Sequence, residues 1–204
     1  MIKVKRYVNE KLNSNSYLIY IEDSCEAYMV DCGDVDDIKK DLNTMNKRIK
    51  SVFVTHTHYD HIYGLNNLLS YFPNIIVYTS NDGVDGLKSD RRNLSKYHED
   101  SFIYNGTNIV ALNNEDIIKL YDSFYITAHY TPGHDISSMI FALNNHALFT
   151  GDSFIPNTKT VTHFPLSNKH LETESSKFIG NIINDFKIIF PGHNGELVNK
   201  DNYL

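Results

Sequence analysis

The 204-residue sequence predicts an α/β fold. Two features carry that prediction. β-type runs alternate with helical patterns through the first 80 residues, and a second series of short β-runs then leads to one long helical pattern and a last buried strand.

Residues 3–8 and 17–22 alternate apolar and polar side chains at period two, with Asn13, Ser14, Asn15 and Ser16 as the turn between them. A third strand at residues 26–30 ends in Asp31-Cys32-Gly33-Asp34, where Asp34 is placed to N-cap a polar helix reaching about residue 46. Residues 51–54 read as a short buried strand. Ile62, Leu65, Leu68, Leu69 and Phe72 then recur at helical spacing until Pro73 stops the helix, and residues 75–78 return to strand. The segment 81–100 is polar, carries Gly83 and Gly86 and shows no clean period, which suits a loop or short helices in the position of a lid. Six short strands are expected at about 102–104, 108–112, 117–120, 124–129, 138–141 and 146–150. Residues 171–183 have helical spacing, and 187–190 form a final strand before Pro191-Gly192-His193. With no repeat, linker or low-complexity tract, one domain spanning 1–204 is expected.

Composition narrows the function. Nineteen Lys+Arg against 25 Asp+Glu leave a net charge of −6, which argues against nucleic acid or an anionic membrane as the main partner and leaves a small molecule. No run approaches the ~20 apolar residues of a membrane span. The opening residues pattern as a strand and not as a signal peptide, and Cys25 and Cys32 are too few for a disulfide scaffold. A cytoplasmic, reduced setting is expected.

The 10 histidines decide the chemistry by where they cluster. His56-x-His58-x-Asp60-His61 follows the buried strand at 51–54, so one tight loop can turn several imidazole and carboxylate groups into a common space. Those ligands suit divalent zinc, and iron or manganese less selectively. Thr131-Pro132-Gly133-His134, Thr150-Gly151-Asp152 and Pro191-Gly192-His193 repeat the same grammar: a strand, a sharp Gly/Pro turn, one potential ligand. Four such loops can converge at one edge of a sheet. Seven ligands with one shared carboxylate suffice for two metals about 3.5–4 Å apart.

These residues resemble the metallo-β-lactamase superfamily, and their spacing is most similar to its glyoxalase II-like (hydroxyacylglutathione hydrolase-like) branch. The resemblance runs from the opening hairpin through Asp31-Cys32-Gly33 to Pro191-Gly192-His193-Asn194. It implies a four-layer αβ/βα sandwich with two Zn2+ at one edge. In that arrangement His56, His58 and His134 hold the first metal, Asp60, His61 and His193 the second, and Asp152 bridges them. Asp31 stands behind the ligand loop and orients it. The implied reaction is hydrolysis of a small ester-like substrate, a thioester first and a lactone next, by a metal-bridging hydroxide that Asp60 and Asp152 orient. Persulfide dioxygenases share the motif set and hold one Fe2+ with two His and one Asp, here His56, His134 and Asp152. A non-catalytic metal-binding domain is the third reading.

The sequence departs from the family pattern at Tyr63-Gly64, where Gly-Gly is usual, and at Cys32, where Pro or Thr is common. Tyr63 is therefore expected to cap the pocket. Eleven residues follow His193, so the helical domain that binds glutathione in full-length glyoxalase II is expected to be absent, an expectation that counts against glutathione thioesters. Asn93 and Lys159 are candidate substrate contacts. His98, His163 and His170 lie in segments that could overhang the site, with surface exposure the expectation. Cys25, Cys32, His129, His146 and the pair Arg91-Arg92 are read as structural or solvated.

Overall fold

Period-two alternation in the opening residues becomes a hairpin. β1 (Ile2–Val8) pairs antiparallel with β2 (Asn15–Ile21), and β2 pairs antiparallel with β3 (Glu26–Val30). The computed structural model describes residues 1–199. From β3 the first sheet continues with parallel pairings through β4 (Arg48–Phe53), β5 (Ile76–Ser80) and β6 (Ile109–Leu112). The helices α1 (Asp36–Thr44), α2 (Leu65–Tyr71) and α3 (Asn81–Leu87) fall in the connections between these strands. The second sheet has the order β12-β11-β10-β9-β8-β7. Its members are β7 (Ile117–Tyr121), β8 (Phe124–Tyr130), β9 (Met139–Leu143), β10 (Ala147–Gly151), β11 (Ile188–Pro191) and β12 (Leu197–Val198). Helix α4 (Lys169–Ile182) connects β10 to the parallel strand β11.

The layers follow from which way alternate residues point. In β2, Tyr17 and Ile19 enter a core between the sheets with Tyr28, Val30 and Phe53, and meet Phe141, Phe149 and Phe190 of the second sheet. Leu18 faces the other way, into a core shared with Ile38 and Leu42 of α1 and Leu65 and Leu68 of α2. Ile140, Ala142, Leu148 and Ile189 pack outward against Ile179 of α4. Helix, sheet, sheet, helix is the result. Each fully buried large side chain contributes roughly 1.5–3 kcal/mol, so the aromatic cluster between the sheets is the main cement.

Two local readings are corrected. Residues 102–104 form no strand: the Tyr104 N–H donates to the Leu87 carbonyl, and the Phe102 carbonyl accepts from the Asn93 side chain, so their backbone groups are used up by a helix end and a loop amide. Asp34 does not cap α1. Its carboxylate accepts the Glu10 N–H instead, and Val35 occupies the cap position without a side-chain bond. The 81–100 segment contains α3, capped by Ser80, and a short 3-10 turn at Ser95–Tyr97.

Strand direction places the site. β3, β4 and β5 run parallel, so Asp31 and Thr55 emerge at one edge. β10 and β11 are parallel to each other, and β8 runs the same way because β9 reverses between them. The loops after β8, β10 and β11 therefore also leave from one edge. The two edges are stitched together: the Met139 N–H donates to the Thr55 carbonyl at 2.7 Å, and the Asn15 N–H donates to the Gly192 carbonyl at 2.7 Å.

Candidate metal centre

The β4 strand stops at Phe53, and the chain turns through Thr55, His56, Thr57 and His58 into a 3-10 turn at Tyr59–His61. Asp31, buried at the end of β3 with φ of 55°, takes in three donors. It accepts the Thr55 N–H and hydroxyl, each at 2.8 Å, and the His61 Nδ1–H at 2.9 Å. One buried carboxylate thus ties Thr55 and His61 together across the loop.

All seven expected ligands are brought together. Three groups have their ligand atoms within 4.8 Å of one another: His56, His58 and His134; His56, His61 and Asp152; Asp60, His61 and His193. Asp152 lies between them. One oxygen is 3.5 Å from His61 Nε2, and the other is 3.5 Å from His134 Nε2 and 3.4 Å from His193 Nε2. The Asp60 carboxylate is 3.4 Å from both His61 Nε2 and His193 Nε2.

The ring orientations are set from behind. His61 Nδ1 is bonded to Asp31, His134 Nδ1 lies 2.9 Å from the Val161 carbonyl, and His56 Nδ1 is 3.1 Å from the Thr55 hydroxyl. With Nδ1 engaged on the outer side, each ring turns its Nε2 inward, the atom available to a cation. His56 Nε2, His61 Nε2 and one Asp152 oxygen are buried with no hydrogen-bond partner. An unpartnered buried polar atom costs about 1–3 kcal/mol, and several aimed into one space are tolerated because a cation can satisfy them together. The residues fit a metal ion, and their nitrogen and carboxylate donors suit zinc, iron or manganese.

Electrostatically the centre has two halves. Burial and the neighbouring imidazoles push His56 well below its ordinary value and His58 to about 3. On the other side burial is outweighed by carboxylates. Asp60, Asp152 and Asp31 raise His61 to about 9, and Asp152 and Asp60 raise His193 to about 10. The same pairings hold Asp60 and Asp152 below the usual carboxylate range despite their burial.

The expected substrate contacts fare differently. Asn93 is fully buried and its amide is spent on the Gly86 and Phe102 carbonyls and the Ser95 N–H, so it holds the 81–100 loop together and cannot meet a ligand. Tyr63 lines a separate groove with Asp34, Gly64 and Asn67, and its ring does not cap the metal cluster. Lys159 is exposed on the loop after β10. His98, His163 and His170 are exposed, His98 against the Tyr59 ring and His163 against Phe164. Two contributors were missed by sequence reasoning. Phe164 packs edge-on against His58 and His134, with ring centroids 5.0 and 5.9 Å away, and Asp135 lies 3.6 Å from His58 Nε2. An aromatic in an irregular loop and a carboxylate beside a turn carry no distinguishing pattern, although the adjacency of Asp135 to His134 was a usable hint.

A two-sheet sandwich flanked by helices, with a histidine and aspartate cluster at one sheet edge, is the setting in which the comparisons fall. The metallo-β-lactamase superfamily model matches residues 10–195, and the chain belongs to that superfamily. It is 28% identical over 203 residues to a probable metallo-hydrolase of Streptococcus pyogenes serotype M6, covering 95% of this chain and 84% of the relative. A hydroxyacylglutathione hydrolase of Buchnera aphidicola (subspecies Schizaphis graminum) is 28% identical over 142 residues, 70% of this chain and 48% of the relative. The chain thus spans about half the length of that hydrolase. Among solved structures, the B3 metallo-β-lactamase BLEG-1 superposes with a TM-score of 0.85 at 23% identity, covering 97% of this chain and 94% of that one. That likeness shows the shared fold. Among the described residues no helix is long and apolar enough to cross a membrane.

Proposed function

We propose that this centre holds two divalent metal ions, zinc in the resident form, and that the chain hydrolyses a small ester-like substrate, thioesters first and lactones next. The superfamily and its metallo-hydrolase relatives make the chain a metal-dependent hydrolase; the metal, its number and the substrate are what the proposal adds. The observation that carries it is the convergence of seven donors in three overlapping groups, with buried donor atoms left unpaired. His56, His58 and His134 would hold one ion, Asp60, His61 and His193 the other, with Asp152 between them.

When bound, the ions supply Lewis acidity and lower the pKa of water to around 7, so a nucleophile is available at neutral pH. The remaining work falls to the chain. Asp60 and Asp152, ionised at neutral pH, can accept hydrogen bonds from an attacking water and orient it. Asp31, Thr55 and the Val161 carbonyl lock the imidazoles so that little reorganisation is needed. Phe164 covers His58 and His134 and keeps bulk water from that side.

The thioester preference is supported by the hydroxyacylglutathione hydrolase relatives. The test uses the full chain, stripped with a chelator and reloaded with zinc or ferrous iron. It is assayed on acyl thioesters with and without a glutathione portion, on lactones and on a chromogenic β-lactam, with oxygen uptake on glutathione persulfide alongside. Thioester turnover restored by zinc, and abolished in a folded Asp60→Ala variant, is expected. Oxygen uptake by the iron form with no zinc-dependent hydrolysis would replace this reading by the dioxygenase. Tight metal binding without any turnover would replace it by the non-catalytic one.

A further inference from the structure

His58 differs from the other inward-facing imidazoles. Its Nδ1 points into the centre, 3.0 Å from His134 Nε2, so the nitrogen on its outer side is Nε2. That Nε2 is buried without a hydrogen-bond partner, and so is Asp135 Oδ2, the atom 3.6 Å from it. Two unpaired buried polar atoms facing each other, a few tenths of an ångström beyond hydrogen-bond range, need an explanation.

The other Asp135 oxygen supplies part of it. Oδ1 accepts the Ser137 N–H at 2.8 Å and the Ser137 hydroxyl at 2.5 Å, which fixes the carboxylate and leaves only Oδ2 to face the ring. The Ser137 hydroxyl oxygen in turn accepts the Thr57 N–H at 3.1 Å, next to His58 in the chain. Asp135 is therefore tied to both segments that carry His58 and His134. If His58 kept its proton on Nδ1, a bare nitrogen and a carboxylate oxygen would confront each other where no water reaches. With the proton on Nε2 the pair becomes a donor and an acceptor, and the Nδ1 lone pair is freed toward His56 and His134.

We propose that Asp135 is a positioning residue: its Oδ2 accepts the His58 Nε2–H and so delivers the Nδ1 lone pair to a cation shared with His56 and His134. The proposal rests on the reading of His58 as a metal ligand and adds the group that selects which nitrogen it offers. Ligand-bound histidines depend on such outer partners, whose loss weakens metal binding by about 10–100-fold.

The test is made on the zinc-loaded full chain. In the 15N-labelled wild type, an exchange-protected His58 Nε2–H resonance is expected. In Asp135→Asn, Ser137 holds the amide oxygen, so the NH2 group faces His58 Nε2, donor against donor. Chelator competition should then show one of the two zincs held 10–100-fold more weakly and the other within twofold of wild type, with the protected resonance gone. A merely structural role would lower the stability of the metal-free protein without singling out one site. Both zincs within twofold of wild type in the variant would overturn the proposal. So would the absence of a protected Nε2–H in the wild type, which decides the matter even if the variant does not fold. A wild-type chain that takes up no zinc would overturn the metal reading, and this inference with it.

Discussion

Gly192 offers a way to disturb the centre without touching a ligand. It sits in the turn after β11, its N–H donated to the Gly151 carbonyl at 2.8 Å and its own carbonyl accepting the Asn15 N–H at 2.7 Å, so its backbone is pinned on both sides. A Cβ at this position would lie 2.1 Å from an Asp152 carboxylate oxygen, 2.8 Å from the Gly151 carbonyl carbon and 2.9 Å from His61 Cε1. Ordinary contact begins at 3.4 Å, so the Asp152 oxygen must retreat by about 1.3 Å, and the two neighbours leave it little room. Overpacking of this kind costs about 1–3 kcal/mol. A misplacement of about 1 Å at a reacting centre costs on the order of 100-fold in rate. Gly192→Ala is therefore expected to lower metal-free stability by that amount in urea denaturation and to cut kcat/KM of the zinc form by two orders of magnitude. Gly180→Ala is the control. Its Cβ meets nothing within 4 Å in the interior of α4, and it should be neutral or stabilising by up to ~1 kcal/mol. A Gly192→Ala enzyme with wild-type metal affinity and activity would refute the packing argument.

Three further outcomes follow from the same geometry. Asp31→Ala strips the acceptor from the Thr55 N–H and His61 Nδ1 in a dry site and should cost at least about 2–3 kcal/mol in the metal-free protein; a loss under about 0.5 kcal/mol would contradict its role. Asp41 is held below the usual carboxylate range, burial opposing but bonds from Lys5 and Tyr7 prevailing. Its contribution is thus present above about pH 4 and lost as pH falls through its folded value, so Asp41→Asn should flatten the acid limb of stability against pH, and an unchanged limb would count against the interaction. Zinc at about 100 times its Kd should raise stability by about 2.7 kcal/mol, reversed by a chelator; a thermal midpoint indifferent to both would argue against a built site.

The strand-end turns made the centre legible. Glycine and proline before His134, Asp152 and His193 have one physical use at a strand end, to turn the chain sharply, and Gly151 takes a φ of 49° that other residues rarely adopt. The same local logic located most strands, as alternating runs where one face is buried and as continuous apolar runs where both are, as in β9 and β10. What stayed hidden depends on partners distant in sequence. Asn93 looked like a polar loop residue, and nothing in its neighbours showed that its amide turns inward to the Phe102 carbonyl. Phe102, Ile103 and Tyr104 have β-type side chains, yet their backbone partners are a helix end and a side chain. Asp34 carries a good capping side chain, but Glu10 offers it a donor from the β1–β2 hairpin. The Val161 carbonyl behind His134 is a backbone atom, which no residue pattern could reveal.

Metal content bears most directly on the central claim. Protein purified without added metal should contain close to two zincs per chain by mass spectrometry. His193→Ala and His134→Ala, each removing a ligand from a different triad, should each retain close to one. Close to one iron per wild-type chain, or no stoichiometric metal, would contradict the two-zinc account.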